Sequence, residues 1–454
     1  MKKLLLGSTA LAVGGLMAAP AMAADPIKIG VGGYYSFFAI AGQIEGSYAL
    51  NGTSLQYKAN NIYQEGEIHF IGQSKLDNGT TVGVRVELEG WNPASNTTNS
   101  QIDEAFLFAF GDWGRVEFGA LDMAAYKMWY GSPSALLNWG FGNPNSNISW
   151  ANGIVGGNNL ALMSVNNGLQ IARQIQDGER INYYTPRFAG FQVGVGYAPK
   201  LNVSTAVAGL GNAIGPAAVS AICGYNNPTA STTCPTNDYS YQDEFDVGVN
   251  YLNKFGDVSV ALSFGYYTMN FVPGTQPLQS AASQVYGYNL GPWKQLTVGG
   301  QVSFAGFTLG AAYNWDNNGL GSNYYTNVDN DTRTYSVSLM YETGPWQVSL
   351  GGEIAYNDNG NGSASLTGIT AGTSAGTYAA TSNTSTAAAF GTNPNAGALS
   401  FGTQTASRLE FGANYALGPG IKAFGGGIIT NATGPSNATS AQSWGVLLGM
   451  DLRF

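Results

Sequence analysis

Charged residues in this chain recur at every second position of short apolar stretches. In residues 81–89, Arg85, Glu87 and Glu89 alternate with valine and leucine. Because successive side chains of a β-strand point to opposite faces, this spacing gathers the charges on one face and the apolar side chains on the other. Such a face suits electrostatic selection of ions rather than covalent chemistry. A solvated surface without a further role remains the alternative for each single residue.

His69 is the only histidine of the chain and raises the question of a hydrolytic enzyme. A serine or an aspartate beside a histidine is a common catalytic pair. Alternation places His69 on the same face as Glu65 and Glu67, but no sequence pattern joins it to a nucleophile. We therefore predict that the protein is not an enzyme.

Other side chains with binding chemistry give weaker signals. Cys223 and Cys234, the only cysteines, lie in one polar connection and could form a disulfide that braces it. Asp329 and Asp331 could offer oxygen atoms to Ca²⁺, but the glycine of a calcium-binding loop is missing. The glycine runs lack a phosphate-loop context. The sequence predicts no metal site and no cofactor.

The elements that would carry these side chains are segments of about ten residues with period-2 hydrophobicity. Sixteen such segments occur, from 27–38 to 443–454. Tight turns, such as Asp-Asn-Gly at 77–79, alternate with longer polar connections, of which 121–179 and 358–406 are the longest. This pattern predicts an all-β fold, a closed antiparallel barrel of sixteen strands, because every backbone group in hydrocarbon must be paired.

Composition supports the barrel and excludes several classes of protein. Charged residues make up 10% of the chain, whereas soluble domains typically carry about 25%. Beyond the amino terminus, no apolar run reaches the ~18 residues that indicate a transmembrane helix. The net charge of −9 argues against nucleic acid as a partner, since phosphate binding requires a basic surface.

The first 23 residues have the features of a secretory signal peptide. Two lysines precede a largely apolar run, and a small-x-small pattern, Ala-Met-Ala, ends at residue 23. We expect residues 1–23 to be removed by cleavage. Residues 24–454 would then form a single domain, because no linker or change of pattern divides them.

The carboxy-terminal strand is the strongest local motif. From Trp444 to Phe454, the apolar side chains share one face and the small or polar side chains share the other, with Leu447 as the exception. An amphipathic last strand that ends in an aromatic residue resembles the signal that the outer-membrane assembly machinery recognises. Phe454 is therefore the predicted assembly signal.

The chain resembles the general porins of Gram-negative bacteria, which are sixteen-stranded barrels that usually form trimers. The stretches that carry the resemblance are LDNGTTVGVRVE at 76–87, WGRVEFG at 113–119, RINYYTPRFAG at 180–190 and DLRF at 451–454. The resemblance implies an outer-membrane homotrimer in contact with lipid and lipopolysaccharide, with short periplasmic turns, long extracellular loops and a third loop folded into the lumen. It also implies a water-filled channel for passive diffusion of ions and small hydrophilic solutes.

Strand parity and the resemblance together nominate residues of the lumen. Porins place a basic wall opposite the third loop, and the inward basic residues here are Lys28, Arg85, Arg115, Arg180 and Arg453. The inward acidic residues are Glu65, Glu67, Glu87, Glu89, Asp103, Glu117, Glu353, Glu410 and Asp451. The third loop would contribute Asp122, Lys127, Trp129 and Tyr130 to a constriction, although it lacks the acidic stretch common in the family. Because acidic side chains outnumber basic ones, we expect a weak cation preference.

Three alternatives remain open from the sequence. A substrate-selective outer-membrane channel for a sugar or a peptide would use the aromatic residues of the third loop as stacking surfaces, unless these only pin the loop to the wall. A barrel hydrolase would depend on His69. A secreted all-β adhesin would share the alternation but would bury its apolar faces against each other.

Overall fold

A computed structural model describes residues 26–47, 54–58, 60–90, 102–140, 178–201, 240–272, 288–290, 292–317, 320–323, 331–359, 369–371, 378–380, 402–433 and 440–454. The predicted signal peptide at 1–23 lies outside these described residues. So do the cysteine pair, Cys223 and Cys234, and Asp329, together with large parts of the long connections.

Sixteen strands, β1 to β16, dominate the described residues. Their bounds are β1 Lys28–Ser47, β2 Asn61–Lys75, β3 Thr81–Glu89, β4 Ile102–Gly111, β5 Gly114–Leu121, β6 Gly178–Tyr184, β7 Phe191–Leu201, β8 Ser240–Phe255, β9 Val258–Val272, β10 Trp293–Phe304, β11 Phe307–Asp316, β12 Thr332–Thr343, β13 Trp346–Asn359, β14 Gly402–Gly418, β15 Ile421–Thr433 and β16 Ser440–Arg453. Shorter strands are Ser54–Lys58, Tyr288–Leu290, Leu320–Asn323, Ile369–Ala371 and Tyr378–Ala380. Each of the sixteen predicted segments falls on one of β1 to β16.

The sixteen strands form one closed antiparallel sheet. Each strand pairs with the next along the chain, and β1 pairs with both β2 and β16. At the seam between the last and the first strand, Tyr35 lies opposite Leu452. The backbone of Phe454 exchanges two hydrogen bonds with Gly33, of 3.0 and 3.1 Å. The predicted antiparallel barrel of sixteen strands is confirmed.

The two faces of the barrel differ in chemistry. Leu350 and Phe411 on the outer face are more than half exposed, whereas Ser349 and Glu410, their neighbours in sequence, are buried on the inner face. Exposed apolar side chains are costly in water, and hydrocarbon around the barrel removes that cost. The outer face is therefore a lipid-facing surface.

The strands extend beyond the apolar segments that predicted them. β1 continues to Ser47 and β14 begins at Gly402, whereas the alternation in the sequence stops at residue 38 and starts at residue 407. Backbone pairing continues past the hydrocarbon layer, where outward side chains no longer have to be apolar. Sequence alternation thus marks the lipid-embedded part of each strand.

The side chains of β4 alternate in the opposite sense to the one that placed Asp103 on the inner face of the barrel. Phe106 and Phe108 are buried on the inner face, where they pack with Leu121. Leu107 is 59% exposed on the outer face. Strict alternation from Leu107 would turn Asp103 outward, so the parity argument for this residue is wrong.

A β-bulge nevertheless interrupts the alternation near Asp103. The register between β3 and β4 shifts between Val86 and Leu88, and a bulge of this kind inserts one extra residue into a strand. Asp103 interacts electrostatically with Glu67, and Glu104 accepts a hydrogen bond from the inside of the barrel. Glu104 therefore lies on the inner side of β4, and the position of Asp103 in the pore remains a prediction.

The connection after β5 enters the barrel, as predicted for the third loop. Residues 122–140, here called the inner segment, contain the helical turn α1, Ala124–Lys127, and a 3₁₀ turn, Leu137–Trp139. Within the described parts of the chain, no helix has the length and apolar character that a membrane crossing requires.

Candidate functional site

The inner segment begins at the end of β5 and is fixed there by four polar contacts. The backbone N–H of Asp122 donates to Glu104 Oε1 at 2.6 Å, and Asn182 Nδ2 donates to the Asp122 carbonyl at 2.8 Å. Lys127 Nζ lies 3.5 Å from carboxylate oxygens of both Glu104 and Glu117. The segment thus leaves the wall at β4 and β5 and turns toward β6.

The middle of the inner segment follows β8, β9 and β10. The N–H of Ala125 donates to Asp246 Oδ1 at 2.6 Å. The N–H of Tyr130 donates to Ser263 Oγ at 2.9 Å, and Gln301 Nε2 donates to the Gly131 carbonyl at 2.7 Å. Wall side chains thereby satisfy backbone groups that the segment could not pair by itself.

The last part of the inner segment crosses β12, β13 and β14 and reaches β1. Polar wall side chains again bind the segment. Ser338 Oγ donates to the Pro133 carbonyl at 2.7 Å, and Asn414 Nδ2 donates to the Ala135 carbonyl at 2.9 Å. The N–H of Ala135 donates to Ser349 Oγ at 2.8 Å, and Trp139 Nε1 donates to Ser36 Oγ at 2.9 Å. The segment therefore lines the inside of β6 to β14, which we call the covered wall.

A buried ion-pair cluster anchors the start of the covered wall. Arg180 Nη1 lies 3.3 Å from Glu244 Oε2 and 3.9 Å from Asp246 Oδ2, and none of the three side chains is exposed. Asp246 also accepts the N–H of Ala125, so the cluster fixes α1 directly. Buried charges persist only when they are paired and hydrogen-bonded.

A second buried ion pair anchors the far end of the inner segment. Arg408 Nη2 lies 2.7 Å from Glu410 Oε2 and donates to the Trp139 carbonyl at 3.1 Å. Ser134 Oγ also donates to Glu410 Oε1. Glu353, which is buried, lies opposite Arg408 in the sheet register. The Arg408 guanidinium thus joins the buried carboxylate of Glu410 to the inner segment.

Inward glycines let the inner segment lie directly on the wall. A Cβ atom added to Gly299 would stand 2.0 Å from the Tyr130 carbonyl oxygen, and one added to Gly310 would stand 2.5 Å from Pro133 Cδ. A side chain at either position would push the segment away from the strands. Packing of the inner segment on the wall therefore requires glycine at positions 299 and 310.

We expect Gly299→Ala to lower the free energy of unfolding by about 1–3 kcal/mol, since the added methyl group overpacks the contact with Tyr130. The measurement is a urea titration of the refolded barrel followed by tryptophan fluorescence. Gly427→Ala is the matched control, because its added Cβ would meet only the Gly445 carbonyl oxygen, at 3.7 Å. Equal unfolding curves for the two variants would contradict the proposed packing.

The opposite side of the lumen, β2 to β5, is not lined by the inner segment beyond the contacts of Asp122 and Lys127, and we call it the free wall. Its strands carry the carboxylates of Glu65, Glu67, Glu87, Glu89, Asp103, Glu104 and Glu117. They also carry the basic residues Arg85 and Arg115, and the inner segment adds Lys127. Formally, carboxylates on this wall outnumber cationic groups by more than two to one.

The cationic groups of the free wall are all engaged by neighbouring carboxylates. Arg85 pairs with Glu87, and Arg115 Nε lies 2.7 Å from Glu117 Oε1. In contrast, neither Glu89 nor Asp103 has a lysine or arginine within ion-pair distance among the residues that the structure describes. Glu89 and Asp103 are half-buried. The free wall therefore holds carboxyl groups that have no basic partner among the described residues.

The predicted basic wall is not assembled as one cluster. Arg180 faces inward but is covered, with no exposed side-chain area. Arg453 pairs with Asp451 near the short turns and is 58% exposed, and Lys28 lies at the same end of the barrel, at the start of β1. The five nominated basic residues therefore lie in three regions of the barrel, and the inner segment separates Arg180 from the rest.

The aromatic residues of the inner segment contact the wall. Trp129 packs against Ala312 and lies over Gly299. Trp139 meets Phe38 edge to face, with ring centroids 4.6 Å apart. Both arrangements favour pinning of the segment over a free stacking surface for a sugar.

Inward apolar residues explain the exception noted on the last strand. Leu447 is buried, and its partner across the seam, Ile40, is buried as well. Leu136 of the inner segment lies close to Gly412 and Gly426 on the neighbouring strands. The end of the inner segment therefore packs on an apolar region inside the barrel, which a rule of polar inward faces does not predict.

Several functional residues were missed from the sequence. Glu104 was hidden by the bulge in β4, whereas Glu244, Asp246 and Arg408 lie within two predicted strands, at 244–254 and 407–416, and were not singled out there. A usable signal existed in β8 and β14, because Asp246 and Arg408 share the parity of the buried residues Asn250 and Asn414.

Two uncharacterised proteins of Rickettsia are similar to this chain in sequence. An uncharacterised protein of Rickettsia conorii is 23% identical over 388 residues, which are 77% of this chain and 85% of the relative. A protein of Rickettsia felis is 24% identical over 197 residues, 44% of its length.

Solved structures share the barrel. An anion-selective porin from Comamonas acidovorans has a TM-score of 0.51 at 14% identity, over 94% of this chain and 100% of that chain. The outer membrane channel DcaP of Acinetobacter baumannii has the same TM-score at 11% identity, over 94% and 98%. The profile of the Gram-negative porin family matches residues 7–303 and 297–451. Since these matches take in nearly the whole sequence, the chain belongs to the Gram-negative porin family.

Proposed function

We propose that this outer-membrane porin conducts ions along the free wall and prefers cations to anions. Membership of the family makes the protein a water-filled channel for passive diffusion of ions and small hydrophilic solutes, a channel rather than an enzyme. The finer proposal concerns where the solutes pass and which sign of charge they carry.

The observation that carries the proposal is the division of charges between the two walls. On the covered wall, Arg180, Glu244 and Arg408 are buried beneath the inner segment and pair with each other or with neighbours there. On the free wall, Glu89 and Asp103 have no cationic partner among the described side chains. Charges that line a pore determine which ions enter.

The size of the effect follows from Coulomb's law. A unit charge about 4 Å from a carboxylate in water gains about 1 kcal/mol, which is roughly a fivefold change in local concentration. Salt weakens this attraction, because the Debye length is about 10 Å at 0.1 M ionic strength. The preference should therefore be modest and should decrease at high salt.

The barrel shared with the anion-selective porin of Comamonas acidovorans does not decide the sign of the preference. A fold accommodates different sites, and selectivity depends on the charges that face the lumen. In this chain those charges are mainly carboxylates. The likeness to that porin thus concerns the barrel alone.

Measurement of the reversal potential in a tenfold gradient of potassium chloride tests the preference. We expect the sign that corresponds to K⁺ being more permeant than Cl⁻, and a smaller value when both solutions are made more concentrated. A reversal potential of the opposite sign would contradict the proposal.

The similarity to the porins also leads to a proposal on assembly and location. We propose that residues 1–23 are removed on export, that the short turns face the periplasm, and that Phe454 serves as the signal for the assembly machinery. The protein would form a homotrimer in contact with lipid and lipopolysaccharide. Unheated electrophoresis should show a band of trimer size that heating converts to monomer; a monomeric band before heating would contradict the trimer.

A further inference from the structure

A histidine and two carboxylates meet on the free wall, at the centre of its acidic residues. His69 and Glu67 are two positions apart on β2, and Glu87 lies opposite His69 on β3. His69 Nε2 is 2.7 Å from Glu67 Oε2 and 3.6 Å from Glu87 Oε2. The three ligand atoms all lie within 4.8 Å of one another.

Each carboxylate has one oxygen held by a neighbour and the other turned toward the imidazole. The Tyr34 hydroxyl lies 2.9 Å from Glu67 Oε1 and can donate to it. Arg85 Nε pairs with Glu87 Oε1. The oxygens left for a ligand are Oε2 of both carboxylates, which face His69 Nε2. Neighbours that orient metal ligands in this way strengthen binding.

We propose that Glu67, His69 and Glu87 bind a divalent transition metal ion, with Zn²⁺ as the probe. One imidazole and two carboxylates match the ligands that zinc takes in open sites, where water completes the coordination. A tetrahedral ion with bonds of about 2.1 Å separates its ligands by roughly 3.4 Å. Glu67 and His69 must move apart by less than an ångström, and Glu87 is already at a suitable distance from His69.

Metal binding at Nε2 requires the neutral His69 ring to change its tautomer, with no net loss of a proton. In the present arrangement Arg85 Nη2 lies 3.1 Å from His69 Nδ1, so Nδ1 accepts and Nε2 carries the proton that Glu67 accepts. A metal ion on Nε2 moves the ring proton to Nδ1, and the guanidinium of Arg85 must then turn away. The Arg85 side chain is one-third exposed to the lumen and has room to do so.

The surrounding charge favours a cation at this position. Glu89 lies opposite Glu67 in the register, and Asp103 interacts electrostatically with both Glu67 and His69. A bound divalent ion would offset the negative charge on which the proposed cation preference rests. The functional consequence therefore depends on the proposed function, whereas metal binding itself does not.

The first test is equilibrium binding of Zn²⁺ to the purified, detergent-solubilised protein by titration calorimetry. We expect one site per chain with a dissociation constant in the micromolar range. His69→Gln should weaken binding at least tenfold, and Tyr34→Phe should weaken it roughly 10–100-fold through lost orientation of Glu67. Glu342→Gln, a carboxylate change at a turn remote from the cluster, should bind as the unchanged protein does.

The second test is the effect of Zn²⁺ on conductance in a planar bilayer. Micromolar Zn²⁺ should lower the single-channel conductance reversibly, EDTA should restore it, and His69→Gln should remove the response. No calorimetric binding to the unchanged protein, or equal binding by His69→Gln, would overturn the metal site. Absence of conductance without any metal would instead contradict the channel, and the calorimetric result would still decide the site.

Discussion

Arg408→Met is expected to destabilise the barrel by about 3–5 kcal/mol, because the change leaves the buried carboxylate of Glu410 without its guanidinium. Glu410 is 1% exposed, so water cannot replace the lost charge. The Trp139 carbonyl also loses its donor. The far end of the inner segment should come free, and the single-channel conductance should rise and become noisier.

Urea titration and bilayer recording of the same preparation measure the two effects. Arg333→Met is the matched control, because Arg333 is 45% exposed and lies 3.7 Å from Asp331; a surface pair of this kind contributes roughly 0–1 kcal/mol. If Arg408→Met unfolds at the same urea concentration as the control and conducts like the unchanged protein, Arg408 does not anchor the inner segment.

Replacing Glu89 and Asp103 together by lysine is expected to reverse the ion preference of the channel. Each change converts a negative charge of the free wall into a positive one. At about 1 kcal/mol per unit charge near 4 Å in water, the four-unit change exceeds the modest preference of the unchanged protein, even after screening by salt. The reversal potential in a potassium chloride gradient should change sign.

The double variant Asp257→Lys and Glu342→Lys provides the control for this experiment. Both residues are exposed at short turns, so the variant makes the same change in total charge outside the free wall. Its reversal potential should keep the sign of the unchanged protein. If the control changes the sign as strongly as the Glu89 and Asp103 variant does, net charge and not the free wall determines the preference.

Most of the barrel was predictable because lipid imposes a simple rule on the sequence. Outward side chains must be apolar wherever they meet hydrocarbon, so alternation located all sixteen strands and their order. The rule applies only within the hydrocarbon layer. The sequence pattern therefore did not predict the end of β1 or the beginning of β14. It also fails where the inward face is apolar, as at Phe106, Phe108 and Leu447, because these side chains pack inside the barrel.

The site was predictable only in part. Parity put Glu67, His69 and Glu87 on inward faces, but their meeting depends on the β2–β3 register, which a sequence pattern does not fix. The path of the inner segment depends on contacts far apart in the chain, such as Ala125 with Asp246. Arg180 therefore has the parity of a lumen residue and yet is covered. The assignments of Lys28, Arg85, Arg115 and Arg453 to the pore remain predictions.

The proposed residues of the constriction remain predictions as well. Asp122 is tied to the wall through its backbone, and Lys127 lies between Glu104 and Glu117 at the border of the two walls. Trp129 and Tyr130 are held against β9 to β11. These contacts hold the inner segment against one side of the barrel.

The central claim is that water and ions pass along the free wall although the inner segment fills the opposite side of the barrel. Single-channel recording of the purified protein in a planar bilayer tests this claim most directly. We expect stepwise increases in current, each proportional to voltage. Folded, inserted protein that produces no steps would contradict an open path and with it the account of the two walls.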